Sequence, residues 1–180
     1  ITQFLRALRP HPIRKTVEDP AVVLEEALLP LEVELQDRGI LLEKKLSTSH
    51  PQVPMDREQM KQAIYNIVRN AMQAAGEQGL ISITMGREGD DWFFECRDNG
   101  PGISPEHLPQ LGSPFFTTRQ DGTGLGLMIV QRIAREHGGS LQITSREGKG
   151  TSVRLQIPMQ ERRIHLLTET STAEAPGSSE

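Results

Sequence analysis

The sequence predicts an α/β protein, a two-layer sandwich in which helices cover one face of a mixed, mainly antiparallel sheet. Segments with apolar residues at helical spacing alternate along the chain with short apolar strand patterns. Two pairs of those strands are separated by short Gly-containing turns, which is typical of hairpins. Hydrophobic residues make up 36% of the 180 residues and aromatic residues 4%. One domain with an aliphatic core is therefore expected.

Apolar spacing and capping residues define the predicted elements. The predicted helices are Ile1–Leu8, Pro20–Gln36, the segment from Asp56 to Ala75, and Leu125–His137. The predicted strands are Ile40–Leu46, Leu80–Met85, Trp92–Arg97, Ser140–Ser145 and Thr151–Ile157. Asp19 is expected to cap the second helix, which Pro30 either kinks or divides.

These elements predict three parts of the chain. Residues 1–19 comprise a helix end and a linker that contains Pro10 and Pro12, which stop the helix. Residues 20–159 form the domain. Residues 160–180 have few apolar side chains and are predicted to be a disordered tail. Because Ile1 is not an initiator methionine, the chain is expected to be a piece of a longer protein.

Charge and cysteine content exclude several functions. The formal net charge is −4, so the sequence does not favour nucleic-acid binding. A single cysteine, Cys96, excludes a disulfide framework or a cysteine metal cluster within one chain, and it is interpreted as a buried core residue. With no signal peptide and no apolar run of about 18 residues, a cytoplasmic location is expected. A membrane anchor elsewhere in the parent protein stays open.

The stretch Asp98-Asn99-Gly100-Pro101-Gly102-Ile103 follows a buried-strand pattern and predicts a sharp turn. A carboxylate held at the end of that strand can accept a hydrogen bond from an exocyclic amine. The alternative is an ordinary turn without function.

Two further patterns indicate contact with an anion and a cation. The stretch Asp121–Leu127 places three glycines before a helix, where backbone N–H groups can approach a polyanion; the alternative is a flexible loop. Asn66, Asn70 and Gln73 share a stripe beside the apolar face of their helix. Amide oxygens there suit a hard cation such as Mg²⁺, and the alternative is polar residues at the edge of the core.

In this order and spacing, the motifs resemble the catalytic, ATP-binding domain of bacterial two-component sensor histidine kinases. That domain has the Bergerat ATP-binding fold, which is shared with gyrase, Hsp90 and MutL. The resemblance covers roughly residues 20–158. The matching motifs are Asn66–Ala71, Asp98–Gly102, Ser113–Arg119, Gly122–Leu127 and Gly148–Thr151. The residues of Asn70–Ala75 and Pro114–Arg119 are similar to those of the nitrogen-regulation branch, and Ile1–Pro10 resembles the end of a dimerisation helix.

The resemblance implies an ATP site in which Asp98 accepts the adenine amine and Asn70 binds Mg²⁺. It implies catalytic roles for Asn66, Asn70 and Arg119, the last beside the γ-phosphate, although a solvated loop residue is the alternative for Arg119. The implied nucleotide-binding residues are Asn66, Asn70, Asp98, Gly100, Gly102, Ile103, Thr117, Thr118, Arg119, Gly122, Thr123, Gly124, Leu125, Gly126, Leu127 and Thr151. The loop 104–123 is expected to act as a mobile lid.

Two departures from the family pattern stand out. Gln73 and Ala74 occupy the places where many members carry a basic residue and a tyrosine. The family's phosphoacceptor histidine is usually followed by an acidic residue. The five histidines here are followed by Pro12, Pro51, Leu108, Gly138 and Leu166, so none fits. The resemblance therefore implies transfer to a histidine on a separate dimerisation domain, relay to a response regulator, and a homodimeric parent.

Three other functions stay open at this stage. A hydrolytic ATPase of the gyrase, Hsp90 or MutL kind places a glutamate where this chain has Asn66, and an amide is not a base. An anti-sigma serine kinase is the second. A nucleotide-sensing module without catalysis is the third, and the intact motifs speak against it.

Overall fold

A computed structural model describes residues 12–47, 51–111 and 124–160. The helices there are α1 (Pro20–Leu28), α2 (Glu32–Asp37), α3 (Arg57–Ala75) and α4 (Gly126–Glu136), with single 3₁₀ turns at Leu29–Leu31 and Leu108–Gln110. The strands are β1 (Thr16–Glu18), β2 (Leu41–Leu46), β3 (Val53–Met55), β4 (Leu80–Glu88), β5 (Asp91–Asp98), β6 (Ser140–Ser145) and β7 (Thr151–Pro158).

Five of these strands form one sheet in the order β2-β4-β5-β7-β6. The β2–β4 pair is parallel because the chain crosses over through α3 between them, and the other three pairs are antiparallel. The predicted mixed, mainly antiparallel sheet is therefore confirmed. The β4–β5 hairpin is longer than expected, since pairing continues to Glu88 opposite Asp91.

Helices α3 and α4 cover one face of this sheet and create a two-layer core. Alternate residues of the central strands are buried, including Ile81, Ile83, Phe94 and Cys96. The apolar face of α3 packs toward them and includes Ile64, Ile67, Val68 and Met72, all at most 1% exposed. Each such side chain contributes about 1.5–3 kcal/mol on burial. The interpretation of Cys96 as a core residue is confirmed, and burial raises the pKa of its thiol.

Pro30 divides the predicted helix Pro20–Gln36 in two. The α1 helix begins as expected, because the side chain of Asp19 accepts a hydrogen bond from the Ala21 N–H at 2.9 Å. It ends at Leu28, and the 3₁₀ turn that contains Pro30 leads into α2. A proline removes a helical donor and clashes with the preceding turn, which explains the break.

The sequence did not predict the small antiparallel ladder of β1 with β3, in which Thr16 lies opposite Met55. It places part of the predicted linker against the domain. Arg57 at the start of α3 pairs with Glu18 of β1 and with Glu26 of α1, which ties this segment to two helices. The domain boundaries at residues 20 and 159 stay predictions. The predicted helix Ile1–Leu8 and residues 161–180 lie outside the described residues.

The described helices were compared with the requirements of a membrane-spanning helix. None of them combines the length and the apolar character that a membrane span requires.

His137 connects the end of α4 to the start of α3 and so fixes these two helices relative to each other. It is 1% exposed, its Nδ1 lies 2.8 Å from the Ile133 carbonyl oxygen, and its Nε2 accepts the Asp56 N–H at 3.0 Å. An imidazole that donates from Nδ1 and accepts at Nε2 is neutral. Burial lowers its pKa below the usual 6.5, and Lys15 adds to that effect, while the Ile133 carbonyl, Asp56 and Glu136 oppose it.

We expect His137 to make the fold less stable in acid. Because its pKa is lower in the folded chain, the unfolded chain takes up the proton first as pH falls. The free energy of unfolding therefore decreases from pH 6.5 downward, toward the folded-state pKa. His137→Gln keeps a donor and an acceptor but does not titrate. Urea unfolding at about pH 7.5 and about pH 5.5 should show a smaller loss of stability in the variant than in the wild type. Equal losses of stability in the variant and the wild type would show that His137 does not cause the acid sensitivity.

Candidate functional site

Asp98, the predicted acceptor for the adenine amine, is the last residue of β5 and lies at the edge of the core. It is 5% exposed. Its Oδ1 accepts hydrogen bonds from the Gly100 N–H at 2.9 Å and from the Thr151 N–H at 3.3 Å. Two backbone donors offset part of the cost of removing the carboxylate from water. The structure thus holds an acidic acceptor in a nearly dry position, which is rare for a residue without a task.

Asn99 fixes the strand end next to Asp98. Its side-chain Oδ1 accepts the Leu80 N–H at 2.9 Å, and its own N–H donates to the Leu80 carbonyl at 3.1 Å. The start of β4 and the end of β5 are therefore joined on both sides. The chain turns sharply after this point, as the Asn-Gly-Pro-Gly sequence predicts.

Two glycines are required where the β6–β7 turn meets this loop. Gly150 has φ +81°, and a Cβ there would collide with the carbonyl oxygen of Asp98. Gly102 has φ +73°, and a Cβ there would collide with the carbonyl oxygen of Arg146. The backbone of each segment approaches a glycine of the other, where there is no side chain to keep them apart. The two predicted glycine motifs, Asp98–Gly102 and Gly148–Thr151, therefore pack directly on each other. The structure thereby brings Gly100, Gly102 and Thr151 together around Asp98.

Ser145 belongs to this cluster, although the sequence did not single it out. Its hydroxyl hydrogen-bonds to the Ile103 N–H at 2.9 Å, to the Gly150 carbonyl at 3.0 Å and to Thr151 Oγ1 at 2.9 Å. The available signal was the predicted hairpin, which places Ser145 opposite Thr151. A serine in an exposed hairpin is common, so the pattern alone did not mark it.

The amides of Asn66 and Asn70 face the start of α4. A Cβ built on Gly126, the first residue of that helix, would lie 3.4 Å from Asn66 Oδ1 and 3.8 Å from Asn70 Nδ2. Asn66 Nδ2 donates to the Gln62 carbonyl at 2.9 Å, which directs Oδ1 toward Gly126. Gly124, with φ +66°, and Leu125 lead into the helix, whose first turn includes Leu127.

This second cluster combines amide groups with the N-terminus of a helix. A helix N-terminus favours anions, and amide oxygens suit a hard cation, so a metal-bound phosphate fits the donor set. The described residues contain no group of three or more His, Cys, Asp or Glu side chains arranged to hold a metal.

Helix α3 connects the two clusters. A Cβ on Gly100 would collide with the Ala74 carbonyl oxygen, so the Asp98 loop rests on the C-terminal end of α3. Asn70 and Asn66 lie one and two turns earlier, which corresponds to about 6 Å and about 12 Å along the helix axis. The acidic acceptor and the amides therefore lie at two ends of one surface.

The remaining predicted site residues, Thr117, Thr118, Arg119, Gly122 and Thr123, lie outside the described residues. Their roles, like that of the lid segment 112–123, stay predictions. Residues 104–111, the described part of the predicted lid, contain the 3₁₀ turn Leu108–Gln110.

Comparison with known proteins identifies the family. Residues 55–161 match the family of histidine kinase-, DNA gyrase B- and HSP90-like ATPases. The chain belongs to this ATPase family. The sensor histidine kinase ZraS of Escherichia coli is 31% identical over 159 residues, which cover 88% of this chain and 34% of that protein. The histidine protein kinase DivJ of Caulobacter vibrioides is 34% identical over 154 residues, 82% of this chain and 26% of that protein. The chain thus spans about a third of these relatives or less.

Solved structures agree with this membership. The catalytic domain of histidine kinase ThkA superimposes with a TM-score of 0.75 at 32% identity, covering 81% of this chain and 96% of that domain. ThkA in complex with the response regulator protein TrrA superimposes with a TM-score of 0.77 at 27% identity, covering 88% of this chain and 46% of that one. The predicted ATP-binding fold is confirmed. The finer similarity to the nitrogen-regulation branch stays a prediction.

Gly150→Ala should destabilise the protein more than Gly148→Ala. Both glycines lie in the β6–β7 turn with positive φ, +71° at Gly148 and +81° at Gly150, so both variants carry similar backbone strain. Around Gly148 nothing lies within 4 Å of an added Cβ, whereas at Gly150 it strikes the Asp98 carbonyl. The collision should lower the free energy of unfolding of Gly150→Ala by about 1–3 kcal/mol more than that of Gly148→Ala, as overpacking does. Urea unfolding of the two variants measures the difference, and equal stabilities would refute the close contact.

Proposed function

We propose that this domain binds ATP with Mg²⁺ and transfers the γ-phosphoryl group to a histidine on a separate dimerisation domain, for relay to a response regulator. The observation that carries the proposal is the surface along α3. A buried acidic acceptor stands at one end and two amides at the start of α4 stand at the other, which suits the base and the phosphates of one nucleotide.

At the base end, Asp98 is suited to read an exocyclic amine. Its Oδ1 is oriented by the N–H groups of Gly100 and Thr151, so the carboxylate is fixed before a ligand arrives. A preorganised acceptor costs little to order on binding. Adenine offers an amine that can donate to this carboxylate. A base with a carbonyl at that position would place a second acceptor against the carboxylate and form no hydrogen bond.

At the phosphate end, Asn70 and Asn66 would hold Mg²⁺ together with phosphate oxygens. The cation would neutralise charge on the transferring phosphoryl group. The N-terminus of α4 adds donors for the phosphates, and Arg119 would add a positive charge near the γ-phosphate. All of these residues would position or stabilise the phosphoryl group, and positioning with charge stabilisation supplies most of the catalysis in phosphoryl transfer. The nucleophile would be the histidine of the dimerisation domain.

Asn66 favours a kinase over a hydrolytic ATPase. The hydrolytic relatives place a glutamate there to activate water, and the amide of Asn66 cannot take a proton. In addition, Asn66 Nδ2 is engaged with the Gln62 carbonyl. The site would therefore not activate water, and attack on the γ-phosphate would be left to a nucleophile that the partner domain supplies.

The relatives support the proposed partners. The similar kinases ZraS and DivJ are much longer than this chain, and ThkA has been solved with a response regulator. We place the dimerisation domain on the parent chain, which would be a homodimer, with the catalytic domain in the cytoplasm. No nucleic-acid partner is proposed, in keeping with the net charge of −4.

Asp98→Asn should weaken ATP and ADP binding by about tenfold to about a hundredfold, because an unmade buried hydrogen bond costs about 1–3 kcal/mol. The amide keeps one oxygen for Gly100 and Thr151 but turns a donor toward the adenine amine. Titration calorimetry measures the affinities. Asp90→Asn is the matched control, since Asp90 is exposed at the opposite end of the β4–β5 hairpin. Undiminished binding by Asp98→Asn would reject the assignment.

The proposed reaction is tested by supplying the acceptor in trans. Incubated with γ-labelled ATP, this chain alone should neither label itself nor release phosphate at an appreciable rate, because losing the tethered acceptor removes the positioning on which transfer depends. Adding a cognate dimerisation domain should produce acid-labile label on that domain. Asn70→Ala should abolish the transfer.

Two results would overturn the proposal in different ways. Strong acid-labile label on the isolated chain, lost when one of its own histidines is replaced, would show that the acceptor lies within this chain. Rapid phosphate release without an acceptor would favour the hydrolytic ATPase.

A further inference from the structure

The hydroxyl of Ser145 has three hydrogen-bond partners beside Asp98. Ser145 ends β6 and lies opposite Thr151. Its Oγ hydrogen-bonds to the Ile103 N–H at 2.9 Å, the Gly150 carbonyl at 3.0 Å and Thr151 Oγ1 at 2.9 Å. A serine hydroxyl has one proton and two acceptor lone pairs, so these three bonds use its full capacity.

The direction of each bond follows from its partner. The Ile103 N–H can only donate, and the Gly150 carbonyl can only accept. The single proton of Ser145 therefore goes to Gly150. The short contact with Thr151 is then a hydrogen bond only if Thr151 donates. As a result, the Thr151 hydroxyl has no proton left for a ligand and presents acceptor lone pairs alone.

We propose that Ser145 is a specificity-determining positioning residue, which makes the Thr151 hydroxyl an acceptor beside Asp98 and so selects a base with an exocyclic amine. This assignment rests on the proposed nucleotide site and concerns the same pocket. Thr151 is next to the carboxylate, because its N–H donates to Asp98 Oδ1, and the two residues are only 8% and 5% exposed. The pocket thus offers two acceptor oxygens.

Adenine and hypoxanthine distinguish this role from simple support of the turn. Adenine carries an amine at position 6 and hypoxanthine a carbonyl, so inosine triphosphate places an acceptor against two acceptors. Removing the Ser145 hydroxyl frees the Thr151 proton, which can then donate to the carbonyl. The preference for ATP over inosine triphosphate should fall by about tenfold, the value of one hydrogen bond. Loss of mere support would weaken both nucleotides by the same factor.

The test measures the affinities of ATP and inosine triphosphate by calorimetry. Ser145→Ala should lower the ratio of the two affinities, and Ser145→Thr, which keeps the hydroxyl, should restore it. Ser152→Ala is the matched control. Its hydroxyl donates to Glu95 at 2.8 Å, and strand alternation places it on the opposite face of the sheet, so the ratio should not change. An unchanged ratio in Ser145→Ala would overturn the proposal.

Thr151→Val provides a second, independent measurement. It removes the hydroxyl through which Ser145 acts, so it should lower the preference itself, and adding Ser145→Ala should change the ratio no further. A further change in the double variant, or a wild-type ratio in Thr151→Val, would overturn the proposal even if Ser145→Ala does not fold. Failure of the wild-type chain to bind ATP is a distinct outcome, which would overturn the proposed function and this assignment with it.

Discussion

The packing of α3 against the sheet is the constraint on which the rest of the structure depends. One face of this helix is buried on β4 and β5, and the neighbouring polar stripe carries Asn66 and Asn70. Because the apolar face fixes the rotation of the helix about its axis, it also fixes where the amides point. His137 and Arg57 then hold the beginning of α3, and the Asp98 loop rests on its end. Core packing and site geometry are therefore set by one contact surface.

The cluster around Asp98 is built from strand ends. The acid ends β5, Ser145 ends β6 and Thr151 begins β7, so the register of the sheet brings three polar side chains together without any one of them leaving its strand. Gly150 allows the β6–β7 turn to touch the Asp98 carbonyl. Since strand register is determined by the buried face, a slip of one residue would expose the core and separate these three side chains at the same time.

Local signals explain which features the sequence predicted. The caps Asp19 and Asp56, the alternating strands and the glycine turns depend on nearby residues, and the structure agrees with them. The β1–β3 ladder could not be predicted because its three residue pairs join segments about forty residues apart and contain a proline. The parallel pairing of β2 with β4 has no local signature either, since it is determined by the crossover through α3.

In the candidate site too, residues with a local signal were predicted and residues that depend on long-range contacts were not. Asp98, Asn66 and Asn70 were found because an acid after a buried strand and asparagines within a helix contradict the preferences of those positions. Ser145 was missed because serine near the end of a hairpin contradicts nothing. Its importance arises only from three partners that come from the Ile103 loop, the turn and β7. Residues that break a local rule are visible in a sequence, whereas residues that complete a tertiary network are not.

The two ends of the site are suited to different demands on the proposed reaction. At the proposed base end, the hydrogen bonds that join Asp98, Ser145 and Thr151 would fix the polarity of the site before a nucleotide binds, which would favour selectivity. At the proposed phosphate end, the amides of Asn66 and Asn70 would bind a cation but cannot accept a proton, so they would stabilise charge without activating water. A glutamate in place of Asn66 would serve hydrolysis and would spend ATP whenever the partner histidine was absent. In the proposed reaction, an amide at this position would leave the γ-phosphoryl group in place until the acceptor histidine arrives, which is the property that a signalling kinase needs and a hydrolytic ATPase does not.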